Sequence, residues 1–401
     1  MKKIRILTLL LAVLMIAAVG CATNDGTNNA NTSAPDSGTE ATETPAGTVK
    51  FAVVGPMTGG SAIYGQYMVG GVTLAIEDWI AEKGGLNGAN VEIEIFDDQA
   101  VANQALIVSQ RIASNPTFLG IVGHLNSGCT LAGLPTYKDA GMVQISGSST
   151  NVDLPFQGFD FFRTIMDDTG NVSEMLKLGI EGVGVKKVCI AYENTDYGIG
   201  TYDKMVEFMQ RDYPQIELVQ SAGFDPQQDK DFTAMITRFK ATDADAVFFT
   251  GEYTTLSIFL TQAASLAYHP TMICSQALLN PATIEIAGEA AEGYYTLNPY
   301  YPHGKDYERA FNERYLAFTN GASEATEHVA HMHDAMLAWL KFFEWHGSNK
   351  ASYDEIVSGL KAMPAFMGAT GSIKFDQNGN VETKPFSYVV VKNGEFVPFT
   401  W

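Results

Sequence analysis

The feature that most constrains this chain is a rhythm. From Thr48 onward, short apolar runs alternate with longer stretches of helical spacing, and glycine or proline punctuates the joins. Residues 49–54 form the first apolar run, stopped by Gly55-Pro56. Residues 64–83 then carry Met68, Val72, Ala75, Ile76, Trp79 and Ile80 at helical spacing before Gly84-Gly85. The spacing predicts strands at 49–54, 91–96, 119–122 and 142–145, with helices at 64–83, 100–114 and 131–140 between them. The same rhythm restarts after a break. Helices are expected at 168–178, 200–211, 232–240 and 253–266, and strands at 187–191, 216–220, 246–250 and 271–274. Strands separated by helices imply parallel sheets with right-handed crossovers, so the chain reads as α/β with two units of similar size. Three further helices (306–318, 324–343, 352–363) and strands at 372–375, 386–391 and 395–397 follow, which suggests a chain crossing back and forth between two lobes.

The N-terminus obeys different rules. Lys2, Lys3 and Arg5 precede an apolar run that ends in small residues at 17–20, the pattern of a secretory signal and too short for a comfortable membrane span. Ala18-Val19-Gly20-Cys21 resembles the lipobox of bacterial lipoproteins, with alanine where leucine is usual, so Cys21 is the expected lipidation site. Residues 22–47 hold no large apolar side chain and should behave as a flexible spacer. With 25 basic against 45 acidic side chains, the net charge of -20 argues against nucleic acid as a partner. Cys129, Cys189 and Cys274 are too few and too scattered for a disulfide scaffold or a metal site.

Enzyme signatures are missing: no GxSxG elbow, no phosphate loop, no HExxH. His328, His331 and His333, beside Asp334, have helical spacing but no evident fourth ligand, and are read as a solvated or half-buried helix face. No cofactor and no metal are expected. The suggestive chemistry sits at predicted strand ends. The strand at 119–122 runs into Gly123-His124-Leu125-Asn126-Ser127-Gly128, and the strand at 142–145 into Ser146-Gly147-Ser148-Ser149-Thr150-Asn151. In open α/β sheets ligands sit beyond the carboxyl ends of the strands, and hydroxyls with free N–H groups at a helix start hold a carboxylate without Lys or Arg.

Over residues 48–400 the sequence resembles the solute-binding proteins of branched-chain amino acid importers, the Leu/Ile/Val-binding type. The resemblance rests on Val53-Val54-Gly55-Pro56-Met57-Thr58-Gly59, Ala81-Glu82-Lys83-Gly84-Gly85-Leu86-Asn87-Gly88, Asp97-Asp98, the Gly-His-Leu-Asn-Ser stretch at 123–127, Asp196-Tyr197-Gly198 and the Ile-Ala-Gly-Glu-Ala-Ala-Glu-Gly stretch at 286–293. It implies a type I periplasmic-binding-protein fold: two Rossmann-like lobes joined by three crossover segments, closing on a small solute. The expected division is a signal at 1–20, a lipidated cysteine and linker at 21–47, lobe I at 48–167 plus 300–367, and lobe II at 168–299 plus 368–401.

The family's ligand-binding positions fall on Tyr64, Ser127, Ser148, Ser149, Thr150 and Tyr197. Glu252, with Tyr253 beside it, stands where a tyrosine is common, and Gln276 stands where an acid usually meets the ligand's ammonium group. Glu252 could supply that charge instead, because a buried ammonium needs a negative partner. The family's disulfide cysteines fall on Ala100 and Asn126, so that bond is not expected. The resemblance implies a non-enzymatic, extracytoplasmic lipoprotein that binds an amino acid, branched-chain or related, and docks as a monomer on the permease subunits of an ATP-driven importer. It would touch the membrane through its anchor only. A sensor with the same fold, or a binder of another small carboxylate or amide, are the alternatives. An enzyme using Glu252, His124 and Tyr197 is disfavoured, since no nucleophile–base spacing accompanies them.

Overall fold

The computed structural model describes residues 47–382 and 386–401. The leader, Cys21 and the spacer up to residue 46 lie outside the described residues. The first lobe opens β1 (Thr48–Gly55), α1 (Ala62–Lys83), β2 (Asn90–Asp97), α2 (Ala102–Ala113), β3 (Phe118–Gly123), α3 (Ser127–Asp139), β4 (Gln144–Ser146) and β5 (Phe161–Arg163). The second lobe follows with α4 (Asp168–Lys177), β6 (Lys187–Glu193), α5 (Asp196–Asp212), β7 (Glu217–Phe224), α6 (Thr233–Lys240), β8 (Ala246–Thr250), α7 (Tyr253–Ser265), β9 (Thr271–Cys274), α8 (Pro281–Ala287) and β10 (Tyr295–Asn298). The chain then returns through α9 (Asp306–Phe318), α10 (Glu327–His346), α11 (Tyr353–Ala362) and the hairpin β11 (Phe366–Gly368) and β12 (Gly371–Ile373). It finishes in the second lobe with β13 (Ser387–Lys392) and β14 (Glu395–Phe399).

Each lobe has one sheet, and the two share an order. The first runs β2-β1-β3-β4-β5, all parallel; the second runs β7-β6-β8-β9-β10 in parallel and is extended by antiparallel β13 and β14. In both, the first strand of the lobe lies beside the second and third, so the order reverses there and leaves a crevice at the strand ends.

The main differences from expectation have simple causes. β5 and β10 went unread because Phe-Phe-Arg and Tyr-Thr-Leu-Asn are both short and mixed in polarity, so neither stands out as an apolar run. Helices α3 and α5 start four residues before the expected 131 and 200, since their first turns are Ser-Gly-Cys-Thr and Asp-Tyr-Gly-Ile, with little apolar signal. The last crossing comes later than the expected 368. Ile373, Phe375 and Val381 are buried in the first lobe's core with Trp339 and Phe342, so the chain stays in that lobe through Val381.

Helix α10 is the spine of the first lobe. Trp339 is fully buried, packs on Phe51 and Phe343, and donates its indole N–H to Ile121 O at 3.1 Å. Two glycines let this helix approach. A Cβ on Gly71 of α1 would lie 2.2 Å from Val329 O, and one on Gly147 would lie 2.6 Å from the His331 carbonyl. With backbone on both sides, any larger residue would push α10 outward. The histidines of α10 are therefore not a solvated face: His328, His331 and His333 are 6%, 2% and 8% exposed. Among the described residues no group of three His, Cys, Asp or Glu side chains is placed to hold a metal ion. Cys129, Cys189 and Cys274 are buried free thiols.

Candidate functional site

The carboxyl ends of both sheets face a common, narrow cavity. Tyr64, Ser127, Ser148, Thr150, Tyr197, Glu252 and Gln276 line it, so seven of the eight expected site residues come together. Ser149 does not line it. Its hydroxyl, fully buried, is within 2.7 Å of Thr130 Oγ1 and reaches the carbonyls of His124 and Leu125 at 3.3 and 3.1 Å. Successive residues of an extended loop point to opposite sides, and Ser149 is the one turned inward.

The first-lobe wall is wired to its own scaffold. Ser146 Oγ accepts from the N–H groups of Ser148 and Ser149 at 3.1 and 3.0 Å and donates to His124 O at 2.7 Å. Arg163, with no exposed surface, donates through Nη1 to the carbonyls of Ser149 and Asn151 at 3.3 and 2.8 Å, and through Nε to Asn380 Oδ1 at 2.7 Å. Asn151 N donates to Ser127 Oγ at 3.2 Å, which leaves the Ser127 hydroxyl hydrogen to point elsewhere. Ser127 opens α3, whose N-cap Asn126 makes no capping bond with its side chain, so the first-turn N–H groups lack a side-chain partner.

The second-lobe wall carries charge. Tyr197 OH donates to Ser275 Oγ at 3.0 Å. Glu252 precedes α7 but does not cap it; its carboxylate reaches across the cleft, accepting from Ser61 Oγ and, at 3.0 Å, from Asn126 Nδ2. Tyr64 also bridges the lobes, donating to Ala277 O at 3.0 Å and accepting from Tyr253 N at 3.3 Å. Asn151 Nδ2 donates to Asp196 O at 2.6 Å. These bonds hold the lobes in contact over the cavity.

Three titratable lining groups were not expected at the site: Glu193 at the end of β6, and Glu327 and His328 at the start of α10. Glu193 is 2% exposed and accepts from Thr195 Oγ1 at 2.7 Å through one oxygen, while its Oε2 has no hydrogen-bond partner among the described residues. Burial, reinforced by the charge of Glu252, pushes its carboxyl up to about 8. Burial also raises Glu252, against the pull of Ser61 and Asn126. Glu327 is 2% exposed, and burial alone lifts it well above the carboxylate range. Its neighbour His328, whose Nδ1 lies 3.6 Å from Glu327 Oε1, is lowered to about 4 by burial and is neutral at physiological pH. Strand-end placement could have flagged Glu193, two residues past the predicted end of its strand. Nothing local marks Glu327.

A family profile described as periplasmic binding protein matches residues 48–395. The leucine-, isoleucine-, valine-, threonine-, and alanine-binding protein of Pseudomonas aeruginosa is 26% identical over 359 residues, 89% of this chain and 90% of that protein. The structure of a leucine-binding protein from Thermotoga maritima superposes with a TM-score of 0.80 at 25% identity, covering 88% of this chain and 98% of that one. A solute-binding protein of an ABC transporter from Rhodopseudomonas palustris, solved with 3,4-dihydroxybenzoic acid, shares the fold with a TM-score of 0.77 at 19% identity over 88% of this chain and 96% of that one.

Proposed function

The chain belongs to the periplasmic binding protein family, and from that premise we propose that it captures a small amino-acid-type solute between its lobes and presents it to an ATP-driven importer. The family is one of binding proteins rather than a class of enzymes, and it implies an extracytoplasmic location. The observation that carries the reading is the polarity of the cavity. Ser127 and the uncapped start of α3 offer donors to a carboxylate on one wall, while Glu193 and Glu252 offer acceptors to an ammonium on the other. A zwitterion fits between them in one orientation. The names of the relatives, which bind leucine and other amino acids, support the same class of solute.

In this reading the solute meets the prewired first wall, then the second lobe closes and adds Tyr197, Glu252 and Gln276. Glu252 takes the part of the acid missing at Gln276, with Glu193 beside it. Cys21 would carry the lipid that anchors the protein at the outer face of the membrane. Isothermal titration of the chain with the proteinogenic amino acids tests the solute class. Binding of at least one, with a rise in melting temperature, is expected; silence across the whole panel would remove the reading. Loss of membrane attachment in Cys21→Ala, with no other change, tests the anchor.

A further inference from the structure

The cavity contains more acceptors than one ammonium group needs. Besides Glu252, four buried oxygens of its lining side chains have no hydrogen-bond partner among the described residues: Glu193 Oε2, Glu327 Oε2, Gln276 Oε1 and Asn126 Oδ1. Among the described residues, neither Lys nor Arg lines the cavity. Buried acceptors left bare in this way are destabilising, and a ligand with matching donors removes the penalty.

Glu327 is the informative one. It lies on the first lobe, at the opening turn of α10, whereas Glu193 and Glu252 come from second-lobe strand ends. Gly71 and Gly147 let α10 pack closely at Val329 and His331, just beyond Glu327. Thr326 caps the helix through Val329 N at 3.4 Å, so the capping task is taken and Glu327 is not needed for it. His328 Nδ1 lies 3.6 Å from Glu327 Oε1, beyond hydrogen-bond distance, and burial disfavours its charged form. A Leu, Ile or Val side chain would leave this carboxyl buried against hydrocarbon.

We infer that the cleft selects a solute with two separated cationic or donor-bearing groups, an amino acid with a basic side chain, whose second charge is received by Glu327. This rests on the amino-acid reading above and narrows it. The carboxylate end lies on Ser127 and α3, the α-ammonium on the Glu193–Glu252 side, and the side-chain ammonium or guanidinium against Glu327 and its neighbours. A metal ion is a poor alternative occupant, since the three carboxyl groups are spread around the cavity rather than gathered.

The test is titration of the whole chain with L-lysine, L-arginine, L-glutamine, L-leucine and 1,5-diaminopentane. L-lysine or L-arginine should bind at least about tenfold more tightly than L-leucine, and Glu327→Gln should weaken the basic amino acid by about 10- to 100-fold without weakening L-leucine. Glu327→Leu should shift the preference toward L-leucine; if that variant fails to fold, the wild-type panel and the isosteric glutamine variant still decide. Tighter binding of L-leucine or L-glutamine by the wild type overturns the inference and leaves the amino-acid reading standing. Binding of the diamine alone keeps the Glu327 subsite and overturns the amino-acid reading. No binding by any of the five overturns the inference.

Discussion

The two walls of the cleft are built on opposite plans. On the first lobe, the loop at 146–151 is held by its own scaffold: Ser146 under its amides, Arg163 behind its carbonyls, and Ser149 turned inward as a strut. On the second, Glu252 makes both of its side-chain bonds across the cleft, and Glu193 has a single anchor in Thr195. The 146–151 loop has its backbone supported before the lobes meet, whereas the Glu252 carboxylate gains its partners only on contact. A receptor that must bind first and close second needs that asymmetry, because a preformed wall can hold the solute while the charged wall remains free to move.

The comparison can be broken most severely at Arg163. Arg163→Met strips the loop of its buried support and leaves carbonyls unpaired, so the chain should lose about 3–5 kcal/mol of stability in chemical denaturation. A loss within error would mean that the first wall stands without it. Ser127→Ala acts on the same wall but faces the solute: affinity for a carboxylate ligand should fall by about 1.5–3 kcal/mol by calorimetry, a larger effect than the loss of stability from the unpaired Asn151 N. Ser149→Ala should do the reverse, lowering stability by about 1 kcal/mol and sparing affinity. Equal losses of affinity in the two serine variants would erase the distinction drawn here between lining and support.

On the second wall the sharper probe is pH. Burial raises Glu193 from its ordinary 4.5 to about 8, so the folded chain binds this proton more tightly than the unfolded one. The associated stability is present in full at about pH 4 and below, and is lost as pH rises toward 8. The melting temperature of ligand-free protein should therefore fall over that range, and Glu193→Gln should flatten the decline. An unchanged slope in the variant assigns the decline to other groups. The smallest effect is expected at the bridge: Tyr64→Phe removes the bond to Ala277 O and the acceptor for Tyr253 N, which should loosen the closed form by about 0.5–1.5 kcal/mol and enlarge the radius of gyration of the ligand-free protein in X-ray scattering.

Much of this was legible in one dimension. The strand–helix alternation depends on local periodicity, and it located the long elements to within a few residues. The hydroxyl-rich strand ends at 123–130 and 146–151 were visible because Ser and Thr cluster where an apolar run stops. What failed did so for want of local signal. Three-residue β5 has no period to detect, Ser149 differs from Ser148 only in which way it points, and His328, His331 and His333 look solvent-facing until α1 and the loop at Gly147 are packed over them.

Pattern alone determined that the chain makes two parallel α/β lobes and which strand ends carry polar loops, because side-chain spacing and turn residues act over a few neighbours. Tertiary packing decided the charge of the cleft. Glu193, Glu252 and Glu327 are far apart in the chain, and each is an ordinary carboxylate until the lobes meet. Only burial in a shared cavity, where water no longer screens or solvates them, turns them into acceptors in search of a cation.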